Sequence, residues 1–226
     1  MALGGTHLAG PGPDRTMLHN NDLGLWRAVH RHGVQSGRGC LFLDRDGVIV
    51  EDTHYLSRVE DIRMVAGAAE RIAAWNRQGM AVVIVTNQAG IGRGLYDWAA
   101  FAAVQDAILA QLAAAGALID ATYACGYHEE GHGALKSAGD HPWRKPNPGM
   151  LLAAQADLAL DFGRSWIIGD RGTDLAAGHA AGLAGGTLVA TGYGGEASQQ
   201  GRALALAGPG FRVETAGSIA TAQLTL

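Results

Sequence analysis

The chain has 226 residues, 48% of them hydrophobic, and a formal net charge of −4. That length fits one domain with a sizeable core, and the acidic balance leaves no electrostatic footprint for nucleic acid or an anionic membrane surface. Two cysteines, Cys40 and Cys125, make no disulfide framework, and no apolar stretch approaches a membrane span, so a cytoplasmic protein is expected.

Residues 1–16 are rich in Gly and Pro and lack the charged start and apolar core of a signal peptide, which predicts a disordered leader. Leu23, Leu25, Trp26 and Val29 predict a short helix within 21–32. Residues 1–36 are therefore expected to form an N-terminal extension, partly disordered, ahead of a domain at 37–226. Strand and helix patterns then alternate. Strands are expected near 40–44, 80–86, 120–124, 165–169 and 186–190, and helices near 67–78, 97–115, 148–160 and 173–182, with a last strand and helix in 211–225. Such alternation predicts an α/β fold of Rossmann type, a parallel sheet with helices on both faces.

Three of these strands end, and one helix begins, in chemistry-bearing residues. Leu41-Phe-Leu runs into Asp44-Arg-Asp46-Gly47, two carboxylates one residue apart at a strand end, where open α/β sheets place their ligands. Ala81-Val-Val-Ile-Val85 runs into Thr86-Asn87-Gln88-Ala-Gly90-Ile-Gly92-Arg93-Gly94. Arg144-Lys145-Pro146-Asn147-Pro148-Gly149 opens a helical pattern, and Trp166-Ile-Ile-Gly169 delivers Asp170, with Asp174 four residues on. A nucleophilic carboxylate, an acid/base carboxylate, a hydroxyl, a lysine and a third carboxylate are the set that phosphoryl transfer through an aspartyl-phosphate requires.

With these motifs the chain resembles the haloacid-dehalogenase-like (HAD) phosphatases, in the branch of the D-glycero-D-manno-heptose bisphosphate and histidinol phosphatases. The resemblance rests on Asp44-Arg-Asp46-Gly47-Val48-Ile49, the Thr86–Gly94 string, Arg144–Met150 and Gly169-Asp170, and spans residues 40 to 193. It implies Asp44 as nucleophile and Asp46 as general acid and base. Thr86 and Asn87 would bind the phosphoryl oxygens, and Lys145 would neutralise nucleophile and phosphate together. Mg²⁺ would be held by Asp44, the Asp46 carbonyl and Asp170. Asp174 would support Lys145 or the metal, or merely occupy the first turn of its helix.

Neither the interval from Asp46 to Thr86 nor that from Thr86 to Lys145 has room for a cap domain, which needs at least ~50 residues. Substrate choice is therefore expected from short loops. Asp52 and Tyr55 match substrate-loop positions by resemblance, and Arg93 and Arg144 are candidate clamps for a distal anion. Arg171 stands where relatives carry lysine.

The segment 125–143 departs from the family pattern. Relatives often hold a structural zinc there, but Tyr127 and Trp143 occupy ligand positions in this chain. No structural zinc is expected, the loop being held instead by packing of Tyr127 and Trp143; a rearranged site from Cys125, His128, His132 and His141 is the alternative. The expectation is thus a capless, Mg²⁺-dependent phosphomonoesterase, monomeric or a small homo-oligomer. Its substrate would be a small phosphorylated metabolite, with heptose bisphosphate first and histidinol phosphate second. A catalytically silent phosphosugar-binding protein is the rival.

Overall fold

The computed structural model describes residues 16–17, 23–31, 35–138 and 140–225. An eight-stranded sheet organises them, in the order β1-β2-β5-β4-β3-β6-β7-β8. The strands are β1 (Thr16–Met17), β2 (Leu25–Val29), β3 (Cys40–Leu43), β4 (Ala81–Asn87), β5 (Ala121–Cys125), β6 (Trp166–Gly169), β7 (Gly185–Val189) and β8 (Arg212–Ala216). The helices are α1 (Ala68–Arg77), α2 (Ala89–Gly92), α3 (Trp98–Ala114), α4 (Gly149–Leu158), α5 (Gly172–Ala181) and α6 (Ala197–Leu204). From β5 to β8 every pairing is parallel, and β1 and β2 add antiparallel at one edge.

The central strands are apolar on both faces because both faces are covered. Leu41 and Leu43 of β3, Val82 and Ile84 of β4 and Trp166 and Ile168 of β6 pack with Ile72 and Trp75 of α1 and Val104, Ile108 and Leu112 of α3. The alternate residues Cys40, Phe42, Val83, Val85 and Ile167 pack with Met150 and Leu151 of α4 and Leu175 of α5. Buried positions 101, 104, 108 and 112 give α3 its inward stripe, and Asp97 caps its start by accepting the Ala100 N–H at 2.8 Å.

This architecture positions the site. β4 lies on one side of β3 and β6 on the other, and the chain winds outward in opposite directions from there. A crevice opens at the carboxyl ends of strands where the winding reverses. Asp44 follows β3, Thr86 is the penultimate residue of β4 and Asp170 follows β6, so three neighbouring strand ends deliver the motif residues to one place.

Three expectations need correction. The helix expected within 21–32 is the strand β2, paired residue for residue with β5 from Leu25↔Cys125 to Val29↔Ala121. Its apolar residues alternate across two faces: Leu25 and Val29 join the Phe42 side of the core, and Trp26 packs edge-on against Phe101 at 5.4 Å. Chain ahead of residue 37 thus contributes to the sheet itself. Helix α6 was not expected, since Ala-Ser-Gln-Gln-Gly-Arg-Ala-Leu offers three apolar residues, two of them alanine, and buries only Ala203. It is held by contact with α5, where the Gln199 side-chain oxygen Oε1 accepts the Gly172 N–H at 2.9 Å. Conversely, the helix expected at the end of 211–225 is a single 3-10 turn at Ile219–Thr221. The disorder expected for 1–16 lies outside the described residues, apart from Thr16.

No described helix is long and apolar enough to cross a membrane.

Candidate active site

Asp44 is the first residue past β3, and its N–H still donates to the Ile168 carbonyl at 3.0 Å, so the carboxylate is fixed to the sheet. The chain then reverses: the Gly47 N–H bonds Val50 O and the Val50 N–H bonds Arg45 O. Gly47 has φ 80°, and a Cβ there would lie 2.6 Å from Asp170 Oδ2, so only glycine fits the turn and its neighbour. Gly192, at φ 59°, approaches Asp170 as closely, with a Cβ position 2.1 Å from the same oxygen. The Asp170 carboxylate is thereby closely packed by glycine backbone.

Lys145 lies at the centre of the floor. Its ammonium contacts Asp174 Oδ1 at 2.7 Å and Asp44 Oδ1 at 3.0 Å, and donates to Val85 O at 2.8 Å, which engages three hydrogens. Burial opposes that charge, but Asp174 and Asp44 outweigh it and hold the lysine pKa above its ordinary value. Asp174 Oδ2 accepts the Arg171 N–H at 2.9 Å, so this residue at once caps α5 and anchors Lys145. The three open readings of Asp174 are in part the same contact.

Asp44, Asp170 and Asp174 bring one oxygen each within 4.8 Å of one another. Burial raises the Asp44 pKa to about 7 against the pull of Lys145, and burial with the Asp44 and Asp174 charges raises Asp170 to about 8. Asp170 Oδ2 accepts the Tyr193 N–H at 2.9 Å, whereas its buried Oδ1 has no hydrogen-bond partner. Crowded hard oxygens, one of them orphaned in a buried position, fit a divalent oxygen-seeking cation.

Beside this floor stands a second network. The Arg45 side chain, 1% exposed, forks onto both Asp46 oxygens at 3.0–3.2 Å and stacks over the Phe101 ring at 5.2 Å. Gln88 bridges Asp46 to Thr86, donating to Asp46 Oδ2 at 3.1 Å and to Thr86 Oγ1 at 2.8 Å. Asn87 and Lys145 exchange hydrogen bonds: the amide donates to Lys145 O at 3.0 Å and accepts the Lys145 N–H at 3.1 Å. The Asn87 side chain therefore ties the lysine loop to β4.

Above both is a cavity of about 640 Å³, lined by Asp44, Asp46, Thr86, Lys145 and Asp174 below and by loop residues at the rim. Asp52, Tyr55 and Arg144 line it, as the sequence suggested, and so do His54, Arg171 and Tyr193. Asp52 accepts the N–H of His54, which holds φ 63°, and His54 stacks on Tyr193 with a 3.2 Å contact between Nδ1 and the hydroxyl. Arg171 lies over the Tyr193 ring at 3.8 Å and 3.7 Å from Asp52. Arg93 is placed differently: it does not line the cavity but binds the Tyr55 hydroxyl at 2.6 Å and Glu130 at 3.3 Å, acting on the rim through Tyr55. Sequence reasoning missed Arg45, Gln88, Tyr96 and Tyr193. Only the position of Arg45 and Gln88 inside the two motifs could have flagged them.

In segment 125–143, Tyr127 stacks on His141 at 4.0 Å and Trp143 tilts against Tyr123 at 5.9 Å, so aromatic packing holds the loop. Cys125 Sγ lies 3.9 Å from His141 Nδ1, which also accepts the Trp143 N–H. His128 Nδ1 accepts the Glu130 N–H at 3.1 Å. Among the described residues, the aspartate triad is the group of His, Cys or acidic side chains close enough to share an ion; Cys125, His128, His132 and His141 do not form one.

Comparison with known proteins agrees with this geometry. Residues 142–207 match the HAD-hydrolase-like family model. The D-glycero-beta-D-manno-heptose-1,7-bisphosphate 7-phosphatase of Mesorhizobium japonicum is 51% identical over 150 residues, 66% of this chain and 69% of that protein. A HAD-like phosphatase structure from Mesorhizobium loti superposes with a TM-score of 0.77 at 43% identity, covering 91% of this chain and 90% of the other. The D,D-heptose 1,7-bisphosphate phosphatase of B. bronchiseptica, solved with magnesium and phosphate, gives a TM-score of 0.65 at 29% identity over 81% of this chain and 94% of that one. Motif spacing, strand-end geometry and these relatives agree: the chain belongs to the HAD-like phosphatases, in the family of the heptose-1,7-bisphosphate 7-phosphatases.

Proposed function

We propose that the protein hydrolyses the 7-phosphate of D-glycero-D-manno-heptose 1,7-bisphosphate with Mg²⁺, through a phosphoryl group carried on Asp44. The observation that carries this reading is the meeting of Asp44, Thr86, Lys145 and Asp170 at adjacent strand ends, beneath a cavity with arginines at its rim.

An Asp44 carboxylate oxygen attacks the phosphorus, and the bond from phosphorus to the sugar oxygen breaks. That oxygen leaves as a primary alkoxide unless protonated, and Asp46 gives it the proton. Water then attacks the aspartyl-phosphate and returns a proton to Asp46, releasing phosphate and the Asp44 carboxylate. Lys145 offsets part of the burial that raises the Asp44 pKa and so favours its carboxylate form. Thr86 and the backbone at Asn87 hold the phosphoryl oxygens. Asp44, the Asp46 carbonyl and Asp170 would hold Mg²⁺, which supplies positive charge against the phosphoryl oxygens when bound. The second phosphate falls to the rim, where Arg144 and Arg171 line the cavity.

The test is phosphate release from heptose 1,7-bisphosphate in the presence of Mg²⁺, with ³¹P NMR to identify which ester is cut. Loss of the 7-phosphate, with turnover abolished by EDTA and by Asp44→Asn, is the expected result. Faster turnover of histidinol phosphate would move the substrate, and binding without release would make the protein a phosphosugar binder.

A further inference from the structure

We propose that Gln88 is a positioning residue that sets the direction of the Thr86 hydroxyl proton and the aim of Asp46 as one hydrogen-bonded unit. This rests on the roles of Thr86 and Asp46 given above.

Gln88 is 2% exposed and follows β4 directly. The orientation of its amide is compelled by its neighbours. Arg45 Nη2, which can only donate, faces Oε1 at 3.2 Å, and the Tyr96 hydroxyl donates to the same oxygen. Burial pushes the Tyr96 pKa well up, so the phenol keeps its proton and stays a donor. With Oε1 fixed on that side, Nε2 faces Thr86 Oγ1 at 2.8 Å and Asp46 Oδ2 at 3.1 Å, one amide hydrogen for each.

The consequence for Thr86 follows from hydroxyl chemistry. A hydroxyl has a single proton. Because Oγ1 accepts from Gln88, that proton cannot be spent there and turns to the cavity that Thr86 lines, where a phosphoryl oxygen must be met by a donor. For Asp46, Arg45 and Gln88 grip the carboxylate from its buried side, while the side chain keeps 24% exposure. The grip holds the carboxylate where it meets a leaving oxygen rather than letting it swing over a half-open cavity.

A glutamate at this position has the same shape and the opposite demand. Ionised, it accepts only, so it draws the Thr86 proton away from the substrate and competes with Asp46 for Arg45. Methionine has similar length and makes neither demand. Steady-state kcat/KM is measured for the parent, Gln88→Glu and Gln88→Met on a primary alkyl phosphate and on p-nitrophenyl phosphate, whose leaving group needs no proton. Two results are expected. Gln88→Glu loses more than Gln88→Met on both esters, by at least roughly tenfold for the glutamate, the scale of a hydrogen bond turned from donor to competitor. Gln88→Met loses several-fold more on the alkyl ester than on the aryl ester, because only the alkyl ester depends on Asp46. In a Thr86→Val background the extra penalty of glutamate over methionine should disappear on the aryl ester, which does not depend on Asp46.

A glutamate variant as active as the methionine variant, or more so, overturns the Thr86 half. Equal losses on both esters overturn the Asp46 half, and losses that merely follow thermal stability reduce Gln88 to packing. If Gln88→Glu does not fold, the alkyl-to-aryl split of Gln88→Met decides alone. A parent inactive on both esters would instead refute the phosphatase reading itself.

Discussion

The floor and the rim of the cavity are built on different principles. Floor residues Asp44, Thr86, Lys145, Asp170 and Asp174 are each 8% exposed or less and issue from strand ends or a helix start, and Lys145 ties Asp44 and Asp174 to the sheet backbone. Rim residues Tyr55 and His54 belong to a loop, and the Arg93 and Arg171 side chains are 39% and 44% exposed. Their partners are mostly each other: Arg93 with Tyr55, His54 with Tyr193, Arg171 with Asp52. A rigid sheet fixes chemistry to within tenths of an ångström, whereas solvated loops set which ester enters. Floor changes should therefore abolish rate and alter stability, and rim changes should alter selectivity alone.

The strongest way to break this division is Asp44→Asn. Turnover should fall more than roughly 1,000-fold, as removal of a covalent nucleophile does, while circular dichroism shows an intact fold. Activity within tenfold of the parent would place the nucleophile elsewhere. Next is Lys145→Met, which leaves Asp44 and Asp174 buried without their cation. Breaking a buried pair from one side costs about 3–5 kcal/mol, so urea unfolding should register a loss of that size along with lost turnover. An unfolding midpoint like the parent's would show that the carboxylates shed their charge at no cost.

At the rim, Arg144→Ala should weaken kcat/KM for the bisphosphate by roughly 10–150-fold, the loss of a charged hydrogen bond, with little change on a generic monoester. Equal losses on both would show Arg144 serving the transferred phosphoryl group, and the floor would then extend to it.

Titration sharpens the contrast further. Asp44 and Asp170 have folded-state pKa values raised from 3.8 to about 7 and about 8, so without metal the folded state binds more protons than the unfolded state. That contribution to stability is complete below pH 3.8 and lost as pH rises through 7 and 8. A cation replacing those protons should raise the melting temperature more at pH 8 than at pH 5. Asp170→Asn should raise the metal-free melting temperature at pH 8 and abolish most of the Mg²⁺ effect. Thermal shift with and without EDTA measures both, and an equal Mg²⁺ shift at the two pH values would place the cation away from these carboxylates. The smallest effect is expected for Arg93→Ala: less than about 1 kcal/mol in stability, as for exposed pairs, and a change in KM confined to large substrates.

What the sequence determined by itself is whatever is carried by short-range pattern. Apolar runs ending in Asp44, Thr86 and Asp170 set strands, strand ends and residue types together, because a buried parallel strand must be apolar throughout and its carboxyl end must be where polar groups begin. Lys145 was legible from its place in the Arg144–Gly149 string that opens a helical pattern, and its role from the family resemblance that string carries. Contacts between distant segments were left to the tertiary structure. Whether Leu25–Val29 is helix or strand depends on β5 offering an open edge, and its Arg27 is matched to Asp157 130 residues away. The apolar residues of β2 serve two different layers, a pattern that carries no period of its own. Arg45 and Gln88 stand inside motifs that were read, yet their roles appear only once Tyr96, Phe101 and Asp46 surround them. Hydrogen-bond direction is a property of the whole neighbourhood, since an amide or hydroxyl takes the orientation its partners leave to it.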